Sequence, residues 1–160
     1  MTQPVIRPAT PADVETILDF IKGLAAFEQE PDAVKTTTDD LLRDGFGRQP
    51  KFEVLIAEID EEPVGFALFY HTYSTWEGRP GLFLEDLFVM EHVRKYGVGR
   101  KLMATLAAIA VARNCTRFEL EVLDWNSARE FYHRLGMHHM NEWLPYRVSG
   151  EALQALAAEA

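Results

Sequence analysis

The chain has 160 residues, with 16 Lys and Arg against 25 Asp and Glu, for a formal net charge of −9. Hydrophobic residues make up 48% and charged residues 26%, which excludes a disordered chain and gives enough length for one buried core. The acidity argues against a nucleic-acid partner, whose phosphates need clustered Lys and Arg, and a single cysteine excludes an internal disulfide and fits a reducing cytosol.

The first residues, MTQPVIRPATPADVE, hold no apolar signal-peptide core, and no run approaches the roughly 18–20 apolar residues of a membrane span. A cytoplasmic protein without a membrane partner is therefore expected. Val5–Ala9 predicts a short strand. Thr10-Pro11-Ala12-Asp13 announces a helix: Thr10 as N-cap, Pro11 at the first helical position, Asp13 in the positive first turn. Val14, Ile17, Leu18, Ile21, Leu24 and Ala25 then keep the 3.6-residue period. A second short helix is predicted over Asp39–Asp44, ended by Gly45. Lys51–Ile59 and Pro63–Tyr73 read as strands joined through Asp60-Glu61-Glu62 in an antiparallel hairpin.

Leu82–Met90 predicts another strand, apolar except for Glu85 and Asp86, which alternation places on opposite faces. A helix over Val98–Arg113 carries Val98, Leu102, Met103, Leu106, Ile109 and Ala110 on one face. Cys115 reads as a small buried hydrophobe. Arg117–Leu123 alternates as a strand, and Ser127-Ala128-Arg129-Glu130 has the capping-box pattern of a helix that Gly136 closes. Trp143–Val148 predicts a last strand and Glu151–Ala158 an alanine-rich terminal helix. With no repeat or linker, residues 1–160 read as one α/β domain with a mixed sheet, locally parallel in its second half.

The charge is uneven. Residues 1–80 are net −8 and residues 81–160 net −1, while Arg94, Lys95, Arg100 and Lys101 fall in eight residues without an acid. These cations flank Tyr96-Gly97-Val98-Gly99, where a strand runs through a glycine-bearing turn into a helix. Free N–H groups at a helix start bind anions, and glycines let a pyrophosphate approach the backbone. The turn is neither a Walker A loop nor a dinucleotide-binding G-x-G-x-x-G.

Arg94-Lys95-Tyr96-Gly97-Val98-Gly99 matches Arg/Gln-x-x-Gly-x-Gly/Ala, and with Asn126 and Phe131-Tyr132-xxx-Gly136 downstream the chain resembles the GNAT N-acetyltransferase superfamily from Val5 to about Val148. Ile6–Thr10, Asp40–Gly47, Leu84–Val89 and Glu121-x-x-Asp124-Trp125-Asn126 are most similar to the diamine (spermidine/spermine) N-acetyltransferase family, which also contains thialysine acetyltransferases. The resemblance implies a mostly antiparallel mixed sheet with a central splayed parallel strand pair and helices on both faces. It also implies acetyl-CoA as co-substrate, a small cationic amine as acceptor, and a homodimer. Two departures stand out. Asn126 and Tyr132 are six residues apart where the family has seven and a proline, and Phe27 replaces a tyrosine common in the polyamine enzymes.

The resemblance places Leu87, Phe88 and Val89 at the acetyl oxygen and pantetheine, Arg94, Lys95, Tyr96, Gly97, Val98, Gly99 and Arg100 at the pyrophosphate, and Asn126 near the coenzyme. Tyr132 is the expected acid for the leaving thiolate. Glu85 is the expected base, because a primary amine with a pKa of about 10.4 must lose a proton before attack, and partial burial in an apolar strand would raise a carboxylate toward that task. Asp86 ranks below it, as a structural anchor. Phe27, Glu28, Trp76, Glu85, Glu119 and Glu121 are the candidate amine contacts, since aromatic faces and carboxylates suit a cation. No histidine spacing suggests a metal. A GNAT enzyme acting on a protein amine and a non-catalytic acyl-CoA-binding module are the alternatives.

Overall fold

The computed structural model describes residues 3–160, in two compact units that divide after Leu123. The first unit is a five-stranded sheet in chain order: β1 (Val5–Pro8), β2 (Glu53–Ile59), β3 (Glu62–Ser74), β4 (Arg79–Val89) and β5 (Phe118–Leu120). The first four strands pair antiparallel, and β4 pairs parallel with β5. The β2–β3 turn puts Asp60 and Glu61 at φ of 51° and 66°, the doubly left-handed pair whose twist suits a two-residue hairpin.

Helix α1 (Val14–Phe27) follows a 3-10 turn over Pro11–Asp13. The Asp13 carboxylate accepts from the Thr10 backbone N–H at 2.7 Å and takes two bonds from the Arg7 guanidinium, which also reaches Glu58 at 2.7 Å. One arginine thus ties β1 and β2 to the start of α1. Val14, Ile17 and Phe20 of α1 pack with Leu41 of α2 (Thr38–Phe46), Val54, Ile56, Phe66 and Leu68 on one sheet face. Helix α3 (Val98–Ala112) buries Val98, Leu102, Met103, Leu106 and Ala110, close to the stripe read from its period.

Gly45 does not end α2, which runs on to Phe46. A Cβ there would lie 2.5 Å from the Phe52 ring, so this glycine admits an aromatic ring instead of stopping a helix. The predicted strand over 117–123 is paired only at Phe118–Leu120. The parallel pair accordingly sits at one edge of the sheet.

The second unit, Asp124–Ala160, holds α4 (Ala128–Arg134) and α5 (Gly150–Ala157). Trp143–Val148 is coil rather than strand, because a strand exists only through a ladder and no strand in this unit offers one. The capping box expected from Ser127 is absent. Ser127 is helical itself, and the buried Asn126 side chain instead accepts the Ala128 N–H at 2.8 Å. Gly136 takes the left-handed φ of 88° after α4, as expected of a helix-closing glycine.

Candidate active site

The register between β3 and β4 shifts at one point. Leu68 pairs with Asp86 and Phe69 with Leu84, which leaves Glu85 as the unpaired residue of a β-bulge. A bulge suspends the alternation of side chains. Glu85 and Asp86 therefore line the same cleft, not opposite faces, and this corrects the reading from strand period. The cleft has a volume of about 510 Å³ and is walled by α1, the segment before α2, α2 itself and the middle of the sheet.

Burial also differs from expectation. Glu85 is exposed, whereas the Asp86 carboxyl is the desolvated member of the pair. Burial first, then the charges of Glu85 and Glu28, push Asp86 up to about 6. Glu28, at the end of α1, is raised by burial and then by Glu85. The Tyr70 hydroxyl donates to Glu85 Oε2 at 3.3 Å, and its own pKa is raised by burial, by Glu85 and by Glu121. Like charges held together beside a low-dielectric wall raise each other's pKa and attract a cation. Tyr70 was missed in the sequence. Its place beside Phe83 across the ladder, with ring centroids 5.3 Å apart, depends on a register that only the bulge sets.

The same strand leads to the anion loop. After Val89, a 3-10 turn over Glu91–Tyr96 buries Val93 and leaves Arg94, Lys95 and Tyr96 exposed. Gly97 adopts φ 74° and ψ 15° and is the N-cap of α3. A Cβ at Gly97 would meet nothing within 4 Å, so the glycine is required by the left-handed backbone and not by space. The first-turn N–H groups of Val98, Gly99 and Arg100 consequently open beside four cationic side chains' worth of sequence, although Lys101 donates instead to the Pro4 carbonyl. Arg94 is oriented by two contacts: its Nε donates to the Val89 carbonyl at 3.0 Å, and its guanidinium lies 5.2 Å from the Phe27 ring centre. Among the described residues the β4–β5 ladder ends at Leu84, so Leu87–Val89 have no strand paired to them on that side.

A model of the acetyltransferase (GNAT) family matches residues 19–137. The chain belongs to the GNAT acetyltransferase family. Among its relatives, the thialysine N-epsilon-acetyltransferase of Sus scrofa is 39% identical, over 99% of this chain and all of that protein. The human spermidine/spermine N(1)-acetyltransferase-like protein 1 is 37% identical over 96% of this chain, which spans 24% of that longer protein. An integron cassette protein from the mobile metagenome of V. cholerae superposes with a TM-score of 0.81 at 25% identity, over 98% of this chain and 99% of the other. The protein is accordingly a GNAT N-acetyltransferase with a five-stranded mixed sheet.

The remaining expected residues of this GNAT chain distribute unevenly. Phe27 is partly exposed under Arg94, and Glu119 pairs with Phe83 at the parallel edge. Trp76 is 84% exposed in the turn between β3 and β4 and is not part of the cleft wall. Asn126 and Tyr132 belong to the second unit, where Asn126 caps α4 and Tyr132 packs 5.4 Å from the Phe131 ring. Cys115 is half-buried and not fully enclosed. Lys35 and Thr36, in the aperiodic segment before α2, line the cleft without a signal in the sequence, and Arg43 joins them from α2. Among the described residues no cluster of three His, Cys, Asp or Glu is arranged for a metal, and no helix is long and apolar enough to cross a membrane. The left-handed Gly97, the open N–H groups after it and the positioned Arg94 fit the pyrophosphate of acetyl-CoA.

Proposed function

We propose that this N-acetyltransferase transfers acetyl from acetyl-CoA to the primary amine of a small di- or polyamine or a lysine-like amino acid, directly and within a ternary complex. The observation that carries this reading is that one strand, β4, bears the acidic cleft and leads straight into the anion loop. The amine specificity in the relatives' names, thialysine above all, supports it.

Acetyl-CoA supplies an activated thioester. Arg94 and the N–H groups of Val98, Gly99 and Arg100 bind its pyrophosphate, with Lys95 and Tyr96 flanking, and the unpaired side of β4 at Leu87, Phe88 and Val89 offers N–H donors to the acetyl oxygen and pantetheine. Glu28, Glu85, Glu119 and Glu121 attract the ammonium form of the acceptor, with Phe27 as an aromatic contact; Trp76, outside the cleft wall, has no part in this reading. The Glu85–Asp86 pair takes the proton the amine must lose. A carboxyl held near 6 is still ionised at neutral pH yet more basic than a free aspartate, which suits a general base. Tyr132 donates a proton to the thiolate, and Asn126 orders the turn that carries it. Chain 1–160 acts as one catalytic domain, and we assign it to a cytoplasmic homodimer on the family resemblance and the single cysteine.

Thiol release from acetyl-CoA, measured over a panel of primary amines, tests this reading. Release with small amines is expected. Release only with peptide amines would favour a protein acceptor, and coenzyme binding without any release would favour an acyl-CoA-binding module.

A further inference from the structure

The cleft is not uniformly acidic. Glu85 and Asp86 stand on its β4 wall, while Lys35 enters from the segment between α1 and α2. The other charges of the lining neutralise one another. Arg43 contacts Asp40 at 3.1 Å and Asp44 at 2.8 Å, and Lys51 adds a contact to Asp44 at 3.5 Å. Asp40 is further used by the α2 cap, where it accepts from the Thr37 N–H at 2.9 Å while its own N–H donates to the Thr37 hydroxyl. Lys35 has no ion-pair partner among the described residues, although four carboxylates share its cleft. A pure polyamine would bring a second positive charge toward this ammonium. A substrate with a carboxylate at the far end from its reactive amine would meet one group of opposite sign at each end.

We propose that Lys35 is a specificity-determining residue: it pairs with a substrate carboxylate, so that the cleft selects an ω-amino acid over the matching diamine. The assignment rests on the reading of this cleft as the amine site. The capped start of α2, two residues beyond Lys35, fixes the backbone from which its side chain reaches the cleft. Electrostatic discrimination of this kind comes from attraction of one ligand and repulsion of the other, both from the same group.

The test compares thialysine with bis(2-aminoethyl) sulfide, the same molecule without its carboxylate, as acceptors for the intact protein with acetyl-CoA. Lys35→Met should raise the KM for thialysine about tenfold with kcat little changed, as expected for the loss of one charge-assisted contact. The KM for the diamine should stay constant or fall. Lys35→Glu should raise the first further and lower the second, and Lys35→Arg should restore most of the preference. Equal effects on both acceptors, or none on thialysine, would overturn the assignment. Wild-type turnover of the diamine but not of thialysine would also overturn it while leaving amine acetylation intact. No turnover of any amine would remove the underlying reading, and this one with it.

Discussion

Asp86→Asn should stabilise the fold at neutral pH and leave it unchanged in acid. The folded carboxyl titrates near 6 against an ordinary 3.8, a difference of slightly more than two pH units. At 1.36 kcal/mol per unit this is an upper bound of about 3 kcal/mol. The sign follows from the direction of the shift. Between 3.8 and about 6 the folded state holds more protons than the unfolded one, so wild-type stability falls as pH rises through this window and is then flat. Asparagine has nearly the same shape, takes no charge into the cleft wall, and escapes repulsion from Glu85 and Glu28. Urea unfolding of both proteins at a series of pH values from about 4 to about 8 gives the difference directly, with the other titrating groups cancelling. The gain should be absent near pH 4, grow through the window, and level off above it. A stability difference that does not vary with pH would refute the assignment of a desolvated, repelled carboxylate at this position. The same variant should be less active, a stability–activity trade-off common where a site stores unfavourable charge.

Gly97→Pro should nearly abolish acetyl-CoA binding by calorimetry, because proline fixes φ near −65° where the loop needs 74°; Arg94→Ala should weaken it by roughly tenfold, the worth of a charge-assisted contact. Unchanged affinity in both would remove the anion loop from the site. Tyr132→Phe should lower the rate of the chemical step, read in single turnovers, far more than coenzyme affinity, and a wild-type rate would return Tyr132 to packing. Glu85→Gln should slow the reaction and move the acid limb of its pH profile to lower pH, since loss of that charge lets Asp86 fall toward its ordinary value. A limb that stays in place would separate Glu85 from the proton transfer.

The parts of the fold and site that were legible in sequence are those fixed by local pattern. The β4–Gly97–α3 junction was readable because a strand, a glycine that must be left-handed and an amphipathic stripe are all encoded within a few residues. The Thr10–Asp13 box, which caps the 3-10 turn leading into α1, and the hairpin at Asp60-Glu61 were local in the same sense. The bulge at Glu85 was not, because alternation assumes an unbroken ladder and the extra residue is set by pairing with β3. That one residue decides that Asp86 shares the cleft, that Tyr70 meets Glu85, and that burial falls on Asp86. The cap of α4 was misread for a related reason: Ser127 and Asn126 can each supply a capping oxygen, and the backbone of Ser127 turned out helical. Trp143–Val148 has strand composition but no ladder in its unit, so propensity alone did not make a strand.

Direct transfer of acetyl from acetyl-CoA to a small primary amine requires that no acetylated protein form on the way. The most direct test is to mix the protein with acetyl-CoA, record its intact mass, then add thialysine and quantify free thiol and N-acetylated amine together. No covalently acetylated protein is expected before the amine is added, and thiol and acetylamine in equal amounts are expected after it. An acetylated protein that forms first and then passes its acetyl group to the amine, or thiol release without acetylamine, would contradict direct transfer.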